Sequence, residues 1–148
     1  MKRLDQHETL METLRRIDAL SPDDRPLWGT ISVSQAVCHM VDGCEIAIGL
    51  ADGGPFTPSF VSSWIGLLLI IDLPLPWPKG KIKAPAAFHR TVPSQFLADR
   101  QRLRDVVIRH SAHSGPWAVS PAFGGLSARR WQRLQWRHLD HHLRQFGQ

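Results

Sequence analysis

A chain of 148 residues, 43% of them apolar, is long enough to bury one substantial core and too apolar for global disorder. Its formal charge of +5 is a mild basic excess that does not by itself argue for a nucleic-acid partner. Its two cysteines, Cys38 and Cys44, are six residues apart in one helical stretch; about 9 Å of helix rise separates them, which excludes a bridge between them.

Leu4, Leu10, Leu14, Ile17 and Leu20 recur at helical spacing, with Glu8, Glu12, Arg15 and Arg16 on other faces. The first helix therefore stops at Ser21-Pro22-Asp23-Asp24. Ser32 is a ready N-cap for a second helix that reaches about Leu50 and breaks at Ala51-Asp52-Gly53-Gly54-Pro55. Residues 60–71 (FVSSWIGLLLII) are apolar but only 12 in number, short of the roughly 20 that a membrane span needs. They read as a short extra helix, buried in or capping a bundle; the rival reading is a segment at a membrane interface. Residues 74–85, rich in Pro, Lys and Gly, read as loop. Thr91-Val92-Pro93 opens a third long helix running to about His110, with Pro93 in the first turn and Phe96, Leu97, Leu103, Val106 and Val107 as its apolar positions. After a loop at 114–125, Ser127 caps a last helix that runs nearly to Gln148. No strand-like alternation and no internal repeat stands out. Four long helices with loops between them imply one all-α bundle domain over residues 1–148.

The last helix carries the strongest chemical signal. At about 100° per residue, Trp131, Leu134, Gln135, His138, His142, Gln145 and Phe146 share a sector about 120° wide. Arg129, Arg130, Arg133, Arg137, Arg144 and Asp140 oppose it and mark the solvent side. His138 and His142 thus point at the core, one turn apart, the spacing that brings two imidazoles onto one metal ion. Imidazole suits zinc, nickel, copper or iron better than magnesium or calcium. A third ligand comes from another helix, and His39 is the natural choice, in a stretch apolar almost all round with small Ser32, Ala36 and Gly43 on its own face. Asp42 is a candidate acceptor for the second ring N–H of His39, against a plainer reading as a solvated helix residue. Gln145, on the histidine face, and His141, at its edge near the arginines, are the other candidates for an outer shell. His7 reads as surface and His89 as part of a basic loop edge. His110 and His113 flank a helix end where a protonated imidazole suits the dipole. Cys38 and Cys44 read as core.

The run Leu126-Ser127-Ala128-Arg129-Arg130-Trp131, continued by Arg137-His138-Leu139-Asp140-His141-His142-Leu143-Arg144-Gln145-Phe146-Gly147, resembles the C-terminal helix of the DinB/YfiT-like superfamily. Trp28-Gly29-x-x-Ser32-x-x-Gln35-x-x-x-His39-Met40-Val41-Asp42-Gly43 is similar to the second helix of a bacterial branch of it, catalogued as a domain of unknown function. The resemblance implies an up-down-down-up four-helix bundle, here with a short extra helix between helices 2 and 3. It also implies that His39, His138 and His142 bind zinc, nickel or another divalent ion. Members include thiol-dependent S-transferases and a thiol-dependent isomerase, and many form dimers. Relatives in this branch often carry His-Pro before Phe-Gly in the last loop; here the run is Ser120-Pro121-Ala122-Phe123-Gly124.

Three protein ligands leave an open coordination position, as catalytic sites do. The expected function is a divalent-metal-dependent S-transferase that joins a low-molecular-weight thiol cosubstrate to a small electrophile. A metal-dependent hydrolase and a non-enzymatic, stress-related metal- or ligand-binding bundle are the rivals. The expected partners are a small-molecule substrate and a second copy in a homodimer, with no nucleic acid and no membrane. The arginine stripe lacks interleaved aromatics and reads as a solvated face. The N-terminus has no apolar signal core behind its positive charges, and the location expected is cytoplasmic.

Overall fold

The computed structural model describes residues 1–79 and 86–148. Among them the chain is all-α, with five α-helices, short 3-10 and π turns and no strand. Residues 74–79 of the expected loop are irregular, and the remainder of that loop lies outside the described residues.

The first helix, α1 (His7–Asp18), has Glu8 in its first turn and Arg15 and Arg16 in its last, each favourable to the helix dipole. Leu14 and Ile17 are buried on its inner face; Leu4 and Leu20 lie beyond its ends yet are buried as well. The second, α2 (Val33–Ala47), opens on a capping box: the Ser32 hydroxyl accepts from the Gln35 N–H, and the Gln35 side chain accepts from the Ser32 N–H. The third, α3 (Trp64–Leu67), continues into a π turn at Leu68–Asp72. The fourth, α4 (Phe96–Ser111), starts three residues later than Pro93 suggested. The Asp99 carboxylate accepts from the Ser94 N–H and hydroxyl, which satisfies the chain ahead of the helix and turns it inward. Leu97 is 68% exposed and contributes nothing to the core. The fifth, α5 (Ala128–Gln145), is capped by Ser127, whose hydroxyl accepts from the Arg130 N–H.

α1 and α2 each pack on both α4 and α5. Leu14, Ile17, Val37, Met40, Leu103, Val107, Leu139 and Leu143 fill the space between these four. A smaller cluster gathers Ala47, Ile71, Leu126, Trp131 and Leu134. Its Trp131 stacks on Trp117, with ring centroids 6.2 Å apart, and donates its indole N–H to the Ala118 carbonyl. Both cysteines are buried and unbridged, as core residues.

Two sequence expectations are corrected by the packing. Residues 60–71 contain a short helix whose Leu67, Ile70 and Ile71 rest on the smaller core, but they are not a buried element: only Gly66 and Ile71 are buried, and Phe60, Trp64, Ile65, Leu68 and Leu69 face outward. The arginine face of α5 is not simply solvated either. Arg137 is buried and donates to the carbonyls of Leu73 and Leu75, while Arg130 and Arg133 both pair with Asp72. The chain after α3 lies along that face and takes its cations. No helix among the described residues is long and apolar enough to cross a membrane.

His110 departs from the dipole reading. It is fully buried, both its ring nitrogens lack a hydrogen-bond partner, and Trp117 packs edge-on at 5.1 Å. Burial pushes its pKa down to about 3, so the folded protein holds it neutral. The unfolded chain binds its proton near pH 6.5. The stability that neutral His110 contributes is therefore complete above that pH and is lost as the pH falls toward about 3. Urea unfolding with chelator present is expected to show wild type losing stability between about pH 7 and about pH 4.5. His110→Leu should lose less, by roughly 2 kcal/mol; equal losses in both proteins would refute this account.

Candidate metal centre

α2 places His39 at its centre, where the helix is apolar on nearly every side, so the imidazole is carried into the interior and is 5% exposed. α5 brings His138 and His142, one turn apart and partly buried, against it. Ring centroids lie 4.7 Å apart for His39 and His138, 4.8 Å for His39 and His142, and 5.0 Å for the pair on α5. Each residue offers one ring nitrogen, and the three nitrogens all lie within 4.8 Å of one another. Three histidines far apart in sequence thus stand together in a group that could hold a metal ion.

The hydrogen bonds fix which nitrogen of each ring faces the centre. His39 Nδ1 lies 2.7 Å from the Phe88 carbonyl, which can only accept, so Nδ1 carries the proton and Nε2 presents a lone pair. The Gln145 amide nitrogen donates to the Trp28 carbonyl at 2.7 Å, which sets the orientation of that amide. Its oxygen then faces His142 Nδ1 at 2.9 Å, and His142 is likewise protonated on Nδ1 with Nε2 free. His138 Nε2 lies 2.8 Å from His39 Nε2, and it donates there because His39 Nε2 has no proton to give. Two rings already hold the ligating tautomer; the third reaches it by moving one proton across its own ring.

Burial also sets the charge. It lowers the pKa of His39, takes His142 down to about 3 with the neighbouring His39 as a further cause, and takes His138 well below its ordinary value. All three are neutral at ordinary pH, the form that binds metals. Among the described residues no carboxylate joins the group.

Two glycines allow the approach. A Cβ on Gly43 of α2 would stand 3.0 Å from His138 Cε1 and 3.0 Å from Gln135 Nε2, so the space beside His39 is filled by α5 and is not left vacant. Gly29 has a φ of +74°, and a Cβ there would stand 3.1 Å from Gln145 Nε2. The Trp28-Gly29 pair and the Gln35 of the sequence motif thus acquire physical roles. The first seats the Gln145 amide, and the second closes the capping box of α2.

Of the outer candidates, Gln145 touches a cluster histidine directly and Asp42 does not. Asp42 is fully buried, neither solvated nor bonded to His39; its carboxylate accepts from the backbone N–H of Arg90 and of Thr91 and from the Thr91 hydroxyl. It anchors the segment that follows the 3-10 turn Ala86–His89, from which the Phe88 carbonyl reaches His39. His141 sits at the rim, its ring 5.3 Å from His142, 5.7 Å from Trp28 and 5.8 Å from Trp77. The sequence reading missed His89, which is exposed and stacks on His39 at 5.0 Å, and Trp77, tilted against His138 at 6.4 Å. His89 ends a short 3-10 turn and Trp77 lies in an irregular stretch, neither long enough for a periodicity to reveal which way it faces.

Removing the acceptor in Gln145→Met frees the His142 ring to turn and is expected to weaken binding of an added divalent cation about 10- to 100-fold. Gly43→Ala, which presses on the His138 ring, should weaken it in the same direction while helical circular dichroism stays unchanged. Competition against a chromogenic chelator measures both, and wild-type affinity in either variant would show that these contacts do not position the rings.

No curated protein and no solved structure is detectably similar to this chain. The family described as Protein of unknown function (DUF1569) matches residues 1–148. The chain therefore belongs to that family along its whole length.

Proposed function

We propose that the protein is a divalent-metal protein of DinB/YfiT-like type in which His39, His138 and His142 hold one zinc or nickel ion, and that it transfers a low-molecular-weight thiol to a small electrophile. The observation that carries this reading is the convergence of three neutral imidazoles, two of them locked by the Phe88 carbonyl and Gln145 with Nε2 inward. The packing of α1 and α2 on both α4 and α5 supports an up-down-down-up arrangement of the four long helices.

A divalent ion on three neutral ligands keeps its full charge and an open position, and there supplies Lewis acidity toward a thiol or water. Among the described residues no carboxylate stands in the group to balance that charge, and the nearby Asp42 is committed to Arg90 and Thr91. An anionic ligand is accordingly the natural complement, and a thiolate meets that requirement at neutral pH better than a neutral donor does. The chain's own part is to fix three ring nitrogens and to hold the tautomers through Phe88 and Gln145. Trp77 and His141 border the cluster.

Elemental analysis of protein purified without a histidine tag is expected to give about one zinc or nickel per chain, lost in both His39→Ala and His142→Ala. Metal-loaded wild type should conjugate an electrophilic chromophore with at least one of glutathione, bacillithiol or mycothiol, and neither variant should do so. Unchanged metal content in both variants would remove the site. A full complement of metal with no metal-dependent conjugation would remove the transferase reading and leave the site standing.

A further inference from the structure

The rim of the histidine cluster carries two tryptophans, and each holds a cation over its ring. Trp77 tilts against His138 at 6.4 Å and lies 5.8 Å from His141, and Trp28 meets His141 edge-on at 5.7 Å. The Lys79 ammonium stands 4.5 Å from the centroid of the Trp28 ring, and the Arg137 guanidinium 5.6 Å from that of Trp77. Arg137 is buried and donates from its two terminal nitrogens to the carbonyls of Leu73 and Leu75. Lys79 is exposed, so its charge is open to a solute. That charge is felt at the edge of the cluster: burial, and then Lys79, lower the pKa of His141 against the opposing pull of Asp140.

Among the described residues no carboxylate pairs with either cation. Asp140 meets Arg16 and Arg144, Asp72 meets Arg130 and Arg133, and Asp42 accepts from the backbone of Arg90 and Thr91. The enclosed indole N–H of Trp28 likewise has no acceptor among the described residues. A divalent ion on three neutral imidazoles brings its full charge to the same place. One thiolate neutralises half of that charge and leaves the rim cationic, both at the ion and at Lys79. The complement is a ligand that carries a second anionic group on the same molecule as its sulfur.

We propose that Lys79 is a specificity-determining residue of this site and selects an acidic thiol, whose carboxylate meets the Lys79 ammonium while its sulfur takes the open position on the ion. The inference rests on the transferase reading, because it takes a thiol as the ligand of that position. Trp28 keeps the ammonium at the rim through its ring. A carboxylate placed there gains a charge-assisted hydrogen bond, which esterification removes.

The test is titration of the full chain, loaded with cobalt(II), with glutathione and bacillithiol, which carry carboxylates, and with glutathione diethyl ester and mycothiol, which carry none. The sulfur-to-cobalt charge-transfer absorption reports binding without any turnover. At least one acidic thiol is expected to bind about fivefold or more tighter than both carboxylate-free thiols, with the gap narrowing as salt rises. Lys79→Gln should weaken the acidic thiols at least about fivefold and leave the ester unchanged, and Lys79→Arg should restore the preference. Bound cobalt should be equal in all three proteins, because Lys79 packs on Trp28 and not on a ligating ring. Equal affinity for acidic and carboxylate-free thiols, tighter binding of mycothiol, or unchanged affinities in Lys79→Gln would each overturn the inference and leave the transferase reading standing. No sulfur band with any of the four thiols would remove the transferase reading and this inference together.

Discussion

Three imidazoles taken out of water beside one another cannot all be charged: each imidazolium would lose its hydration and repel its neighbours. Once neutral, each ring has one N–H that needs an acceptor and one lone pair that needs a donor or a metal. That requirement organises the surroundings. The Phe88 carbonyl meets it for His39, which draws the turn Ala86–His89 against α2, and Asp42 holds the following residues in place. Gln145 meets it for His142, and Gln145 is held in turn by the Trp28 carbonyl, while its own carbonyl accepts from the Leu27 N–H. Two segments outside the long helices are thus positioned by the protonation state of histidines on them.

The helices and two of the three rings were legible because periodicity survives in a single sequence. His138 and His142 share the sector of Trp131 and Leu134 on α5, and burial puts that sector inward. His39 was found from the apolar surroundings of its helix and from a family resemblance. What escaped was whatever depends on the partner and not on the helix. A backbone carbonyl such as that of Phe88 has no sequence signature. Asp42 looks the same on a helical wheel whether water or two amide N–H groups satisfy it. His110 stands near a helix end, where the dipole favours a cation, but desolvation outweighs a dipole effect of about 1 kcal/mol when the ring is fully buried.

α5 shows the same limit on a larger scale. A wheel divides it into an apolar side and an arginine side, and the ordinary inference is core against solvent. In the folded chain part of the arginine side is covered as well, at Arg133 and Arg137, while Arg129 and Arg144 stay exposed. Guanidinium groups tolerate this where each charge meets acceptors that are themselves in need of donors. The carbonyls of Leu73 and Leu75, in an irregular stretch with no helical partners, are such acceptors for Arg137, and Asp72 serves Arg130 and Arg133. Arg130, Arg133 and Arg137 are therefore the attachment points of residues 72–75 in addition to a source of positive charge.

That attachment separates the two surfaces of interest. Between the exposed face of α3 and the Trp77 that leans on His138, the chain is pinned by five contacts. Asp72 binds two arginines, Arg137 holds the carbonyls of Leu73 and Leu75, and the Trp77 indole bonds to Ile70. A displacement of α3 strains those contacts, whereas a change confined to the outward side chains of Phe60 and Trp64 touches none of them. The apolar face can consequently be altered without altering the ligand geometry. The converse does not hold for Trp77, which belongs to both the pinned segment and the rim of the histidine cluster. Two routes therefore join the surfaces: Trp77, and the packing of Leu67, Ile70 and Ile71 with Trp131 and Leu134 of α5, the helix that carries two of the histidines.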